Sequence, residues 1–555
     1  MSVEELNLDI AVNSLYMLVC TCVLPFVIIG TSFFYSGLSQ RRSSLTMLAL
    51  PVLLFPIVFL DWFIWGYSLC YSTSSNRFIG NLGFTVLRHL RTETLLVYST
   101  PRGDILALSH FLFTGLFKVV CASLTFPCIA ERGRILPMLV FLVLWSCIIY
   151  NPVTYWFWNK NGWLSVELNK LPVVDFAGGT CIHIVSGFTA LAYSYSLGHR
   201  NPKILIDYRN SNTGYIVIGT FLIACGWCGF VSGCDYKFST ASLYIFANVV
   251  LSACSSGAVW MAFDYYFSAV PLENASENKM FEVHKLTAVL SRSSRNIRKN
   301  KMNSQSVFEK RKLSMISFSS GIIVGLVVFT PGGGFVSSPT EFWKAIVFGV
   351  VGAIICNIST ALKYFLGIDD ALDIFAIHGI AGIIGCLLTG LFANKEYGSQ
   401  GGWVSHHWIQ LGYQVLGCVV TAVYVFFLSC VLLYVIDCIP GLHLRIDKTF
   451  NKRVRENETQ NNTEIESQAD LEHKLHETQE YVNDYERLEL LGSDYYEFGE
   501  YITDYVEFIK VLKPDDFSDH ELESDDTQYN NIAHTSDFSL HPELDHNVIK
   551  RDTIA

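Results

Sequence analysis

"DFAGGTCIHIVSG" (175–187) carries an aspartate, a histidine eight residues on, and a glycine four residues further. "DALDIFAIHGIAG" (370–382) repeats that order and spacing as Asp370, His378 and Gly382. Both copies sit in long apolar stretches. An ionisable side chain at membrane depth is costly and rare, and it usually marks a substrate or proton path. One costly pattern present twice points to a fold built from a repeat.

How the copies are related depends on the membrane spans between them. A spanning helix needs about 20 largely apolar residues. Such stretches fall at 12–38, 45–71, 105–130, 135–157, 176–197, 213–234, 241–267, 314–335, 342–366, 372–393 and 406–438. The predicted fold class is an all-α integral membrane protein with eleven transmembrane helices. The copies occupy the fifth and tenth spans, so the second runs through the bilayer in the opposite sense. That is a five-plus-five inverted repeat, and in transporter folds the pathway lies at the repeat interface. Eight helical residues rise about 12 Å, which brings His183 and His378 toward the middle of a core about 30 Å thick.

Charge sets the orientation. Arg41 and Arg42, "ERGR" (131–134), "GHRNPK" (198–203) and the basic loop 268–313 all fall on one side. Positive loops favour the cytoplasm, so the N-terminus is placed outside and the C-terminus inside. Arg88 and Arg91 in the 72–104 loop are a minor exception. The sequons at Asn274, Asn457 and Asn461 are then cytoplasmic, and no glycan is expected on them.

Composition agrees with a membrane protein: 51% of residues are hydrophobic and 16% are charged. The net charge of −11 describes only the tail. Residues 441–555 hold 28 acidic and 11 basic side chains, or −17, which leaves +6 for residues 1–440. The domain reading is a membrane transport domain over 1–440 and an acidic cytoplasmic tail over 441–555, partly disordered. No basic stripe suggests nucleic acid. The 16 cysteines are scattered through apolar runs, and "CGWC" (225–228) lacks the surrounding βαβ pattern of a redox motif. They read as small packing residues. The N-terminus has no basic n-region and does not resemble a cleaved signal peptide.

Several further segments narrow the reading: "FFYSGL" (33–38), "WGYSL" (65–69), "AERGRILP" (130–137), "NGW" (161–163), "GWCGF" (226–230), "IDDALDIFAIHG" (368–379) and "GGWVSHHW" (401–408). Together with 175–187 they resemble the ammonium transporter family (Amt, Mep and Rh proteins), and most closely the fungal ammonium permeases. The resemblance covers about residues 12–447 and returns at "LGSDYYEFGEY" (491–501) in the tail.

The resemblance implies a homotrimer in the plasma membrane, each protomer with its own pore, conducting ammonium as ammonia plus a relayed proton. Methylammonium is a further candidate substrate. The family's recruitment site maps onto Trp158, with Cys234 where serine is usual; a cation over an indole face gains about 0.5–2 kcal/mol, and a thiol is the weaker hydrogen-bond partner. The stacked gate rings map onto Phe117 and Phe230. The twin histidines map onto His183 and His378, expected to share a hydrogen bond and able to relay protons near neutrality. Asp175 is expected to cap its helix and to place negative charge below the outer vestibule. Glycines 178 and 179 read as close-packing residues.

No cofactor or metal is expected, because no carboxylate-rich ligand cluster accompanies the histidines; an integral-membrane metal enzyme is the weakest reading. The alternative function is an ammonium sensor with low transport that signals through the tail, with cytoplasmic regulators as partners. Lys118 after the gate residue, Cys234 and the long acidic tail support it; Asp61 at a usually neutral position, Thr114 for glutamine and Ile29 for proline are further departures from the family pattern. Lys118 lies about 100° around its helix from Phe117 and is expected to face lipid or a neighbouring protomer.

Overall fold

The structure is a computed structural model that describes residues 8–74, 76–90, 97–99, 103–166, 171–205, 208–267, 313–396, 398–445 and 489–499. The basic loop 268–312, the sequons and the tail beyond 499 lie outside the described residues. Helices dominate, with one two-stranded antiparallel ribbon that pairs Val97–Ser99 with Asp104–Leu106.

Among the described residues nine helices are long and apolar enough to cross a membrane. They are α1 (Leu8–Leu38), α2 (Arg41–Tyr71), α3 (Ala107–Ile129), α4 (Ile135–Trp158), α6 (Thr213–Gly233), α7 (Thr240–Phe267), α9 (Phe342–Leu366), α10 (Phe375–Phe392) and α11 (Ile409–Asp437). Two further stretches read as spans form helices that cover only part of those stretches. One is α5, where a π-helical turn at Gly179–Ile184 runs into Val185–Leu197. The other is α8, Met315–Phe329.

Large apolar side chains stay exposed on the outer helices, among them Val52 and Leu60 on α2, Phe221 on α6 and Val423 and Phe427 on α11. Helices can present such side chains to lipid because their backbone groups are satisfied internally. Nearly all of α3 is buried, which places it inside the bundle.

Both histidine-bearing segments begin as π turns, at Gly179–Ile184 and at Phe375–Ile380. Single π turns inside helices are rare and concentrate at functional sites. The two turns meet through reciprocal glycines. A Cβ on Gly187 would lie 2.2 Å from the Gly379 nitrogen, and one on Gly382 would lie 2.8 Å from the Gly179 carbonyl oxygen. The third member of each sequence copy is therefore the contact point for the other copy.

The tail returns to the helical body. Arg445 pairs with Glu489 at 2.7 Å, and Arg42 donates to the Leu490 carbonyl. The short helix α12 (Ser493–Phe498) follows. Asp494 accepts from the Leu45 and Thr46 backbone N–H groups at 2.8 and 2.7 Å and from the Thr46 hydroxyl at 2.7 Å. Glu497 accepts from the Ile135 N–H at 3.0 Å. Helix N-termini leave unpaired N–H groups, and here two tail carboxylates take those of α2 and α4.

Candidate functional site

Five residues singled out in sequence, joined by Trp227 and Tyr35, come from six helices and form one file of rings. Trp158, at the end of α4, meets Phe117 of α3 edge to face at 5.9 Å between centroids. Phe117 meets Phe230 of α6 at 4.7 Å and 88°. Phe230 meets Trp227 one turn earlier at 5.3 Å. Trp227 lies parallel to His183 of α5 at 5.3 Å and 11°, and His183 lies parallel to His378 of α10 at 5.6 Å and 12°. The file ends on α1, where the Tyr35 hydroxyl and His378 Nε2 are 3.1 Å apart. Edge-to-face pairs of this kind add about 0.5–1.5 kcal/mol each beyond burial.

Both histidines are fully buried. No hydrogen bond joins them, which corrects the expectation of a shared one. The cause is geometric: the imidazoles lie parallel, His183 stacks on Trp227, and His378 Nε2 is turned to Tyr35. Both nitrogens of His183 and Nδ1 of His378 have no partner among the described residues. A buried polar atom left unpaired costs about 1–3 kcal/mol. Three such atoms on two facing imidazoles suit a small molecule that can both donate and accept.

Asp175 caps the π turn of α5. Its Oδ1 accepts from the Gly178 and Gly179 N–H groups, both at 2.8 Å, and its Oδ2 accepts from the Thr180 N–H at 2.8 Å and from the Thr180 hydroxyl. Asp175 is 4% exposed, and its carboxylate is engaged by the start of the helix. Its backbone carbonyl accepts from Trp158 Nε1 at 3.1 Å, which ties the outermost ring to the histidine turn. Just before it, Gln414 of α11 exchanges hydrogen bonds with the Val174 N–H and carbonyl, both at 2.8 Å. Asp370 repeats the capping motif more sparingly, accepting from the Phe375 N–H at 2.8 Å.

Cys234 ends α6 one turn beyond Phe230 and is buried. Its thiol donates to the Phe230 carbonyl at 3.4 Å. It therefore sits one turn from the Phe230 ring, with a thiol hydrogen bond made to its own helix.

Lys118 corrects the sequence expectation outright. It is fully buried, and its ammonium is ion-paired to Asp61 within the same chain. It faces neither lipid nor a neighbouring molecule. Thr114, the other departure on α3, donates back to the His110 carbonyl at 2.6 Å and is buried.

Three contributors escaped sequence reasoning. Trp227 was visible inside "GWCGF", three residues before Phe230 and so on the same face of α6, but the flanking cysteines drew the attention. Tyr35 lay inside "FFYSGL" without a stated role. Thr330, which accepts from Trp227 Nε1 at 3.0 Å, carried no signal at all. Among the described residues no group of three or more His, Cys, Asp or Glu side chains could hold a metal ion.

Comparison with known proteins follows the same residues. A sequence model described as the Ammonium Transporter Family matches residues 15–272 and 301–461. Ammonium transporter 1 of Schizosaccharomyces pombe is 37% identical over 442 residues, covering 78% of each chain. The crystal structure of Saccharomyces cerevisiae Mep2 is 32% identical with a TM-score of 0.66, covering 80% of this chain and 89% of that one. A structure described as "Sensor Amt Protein" shares the fold at 23% identity and a TM-score of 0.62, covering 80% of this chain and 98% of that one. The family match includes every residue of the ring file, and the chain belongs to the ammonium transporter family.

Proposed function

We propose that this protein recruits ammonium at Trp158, strips one proton from it, and passes ammonia between Phe117 and Phe230 to the histidine pair. The observation that carries the reading is the file of rings ending on two fully buried imidazoles with three unpaired nitrogens. A naked ammonium ion in an apolar interior costs far more than neutral ammonia, so deprotonation beside Trp158 is the favoured order of events. Ammonia can donate to one unpaired imidazole nitrogen and accept from another, a role no purely packed histidine needs. The proton released beside half-buried Trp158 passes to water there, and water within the file, bridging the unpaired nitrogens, would carry it to His183, to His378 and on to Tyr35.

The architecture we propose has eleven spans in a five-plus-five inverted repeat, N-terminus outside and C-terminus inside, assembled as a homotrimer in the plasma membrane. The matched π turns, the paired capping aspartates and the reciprocal Gly187 and Gly382 contacts support the repeat. Residues 1–440 form the transport domain, and the acidic remainder is a cytoplasmic regulatory tail. A second reading, an ammonium sensor with low transport, draws on the docking of Asp494 and Glu497 against α2 and α4, since a docked tail can report the state of the helices beneath it. Uptake of labelled methylammonium and ammonium-dependent growth, in cells lacking their own ammonium transporters, separates the two. Transport at the rate of a permease, lost in a His183→Ala/His378→Ala protein at normal surface level, is expected. Wild-type protein at normal surface level without uptake would refute transport.

A further inference from the structure

Lys118 is the neighbour of the gate ring in sequence and a buried cation in space, and nothing in the conduction reading uses it. Its side chain leaves α3 away from Phe117 and ends in a complete cage. Asp61 Oδ2 takes the ion pair, and Asn151 Oδ1 accepts at 3.0 Å. The ring faces of Trp62 and Tyr150 each lie 5.5 Å away. Asp61 is itself held by Trp65 Nε1 on Oδ1 and by the Ser146 hydroxyl on Oδ2, both at 2.5 Å.

The cage is built into two irregular turns. Asp61 immediately precedes the π turn Trp62–Gly66 of α2, and Asn151 immediately follows the π turn Ser146–Tyr150 of α4. Gly66 leaves the room: a Cβ there would lie 2.8 Å from the Lys118 ammonium nitrogen. A buried ion pair seldom adds stability over an apolar filling, though losing one partner strands a charge. A pair this well enclosed suits a register device better than a source of stability.

Its reach along α3 shows which register. Trp62 Nε1 donates to the Phe111 carbonyl at 3.0 Å, and the Trp62 ring fills the space a Cβ on Gly115 would need. With Lys118, three successive turns of α3 are pinned on the face behind the gate. Turning α3 by about 20° would swing a ring carried about 5 Å from the helix axis by roughly 2 Å. Against a 4.7 Å contact between Phe117 and Phe230, that decides whether the gate closes.

We infer that Asp61, Lys118 and Asn151 are positioning residues that set the rotation of α3 and thereby the aperture between Phe117 and Phe230. The inference rests on the reading of those rings as the gate.

The test uses the full-length chain in cells without endogenous ammonium uptake, with KM and Vmax for ammonium and methylammonium normalised to surface protein. Lys118→Met and Asp61→Asn should each lower Vmax at least tenfold. The double variant Asp61→Leu/Lys118→Met removes both charges. It should recover surface level while shifting the methylammonium-to-ammonium KM ratio at least threefold, because the larger ion reads the aperture. Asn151→Ala should shift the ratio the same way. Wild-type Vmax and KM ratio in the double variant would overturn the inference, leaving the pair as packing. Failure of every one of these variants to reach the membrane would also overturn it, making the cage a folding element. Phe117→Ala separates the layers. An unchanged ratio there refutes the gate reading and the inference with it, whereas a changed ratio with an unaffected double variant refutes the positioning alone.

Discussion

Gly187→Ala tests whether the spacing of the two histidines is set by the glycine contact between their turns. A Cβ at position 187 would sit 2.2 Å from the Gly379 nitrogen and 2.3 Å from its α-carbon, about 1.2 Å inside an ordinary 3.4 Å contact. Both obstacles are backbone, so no side chain can rotate away. The turns at Gly179–Ile184 and Phe375–Ile380 must separate, and the 5.6 Å spacing of the imidazoles grows with them. Overpacking of this sort costs about 1–3 kcal/mol or more, which a large bundle can absorb. Function is less tolerant, since a displacement of about 1 Å at a reacting site can cost on the order of 100-fold. Uptake of labelled methylammonium at matched surface level should therefore fall at least tenfold. Gly412→Ala on α11, with nothing within 4 Å of the added atom, is the control and should transport normally. Wild-type uptake in Gly187→Ala would refute the claim that this contact sets the histidine geometry.

His183→Ala should abolish conduction or change its pH response while leaving assembly intact, checked by uptake across external pH 5 to 8 and by size-exclusion chromatography. The Cys234 thiol is a weaker hydrogen-bond partner than a serine hydroxyl, and Cys234→Ser tests whether that limits recruitment. Because the thiol already bonds to the Phe230 carbonyl, a serine hydroxyl will take that same bond, and the KM for ammonium should stay within twofold. Asp494→Ala removes three hydrogen bonds at the start of α2 and should weaken tail docking by about 1–3 kcal/mol, seen as faster proteolysis near residue 490 in inside-out vesicles. Burial raises the Asp494 carboxyl, although donors from Thr46 and Leu45 oppose it, and burial likewise raises Glu497. Their contribution to docking is thus fully present below the free carboxyl range and is lost as pH rises through the docked values, so protection should decline from acid toward neutral pH in wild type and decline less steeply in Asp494→Ala, where Glu497 remains.

Most helix positions were legible because apolar runs bounded by charged or Gly-rich loops leave a bilayer protein few alternatives. The stretches at 176–197 and 314–335 formed shorter helices than their apolar runs suggest. In the first, Gly178 at φ 114° starts the chain turning late, and Asp175 draws the first N–H groups to itself. Five members of the ring file were legible by resemblance, Phe230, His183 and His378 within recognisable segments and Phe117 and Trp158 outside them. Trp227 and Tyr35 stood in such segments, but their roles depend on which face meets which across helices, and a one-dimensional pattern does not carry that. Lys118 shows the limit most plainly. Helical geometry turned it away from Phe117 correctly, yet could not say that Asp61, 57 residues earlier, waits on that side. The absence of a hydrogen bond between His183 and His378 depends on ring orientation, which spacing does not fix.

The tail helix has a mechanical consequence. Asp494 holds the starting end of α2 and Glu497 that of α4, while farther along those same helices stand Asp61 and Asn151, the two side chains that grip the Lys118 ammonium. Each helix is a rod of roughly 25 Å between its two attachment points, at about 1.5 Å per residue. Tilting such a rod by about 5° moves its far end by roughly 2 Å. A six-residue segment at the starting ends of α2 and α4 thus holds two rods whose far ends meet behind a single phenylalanine.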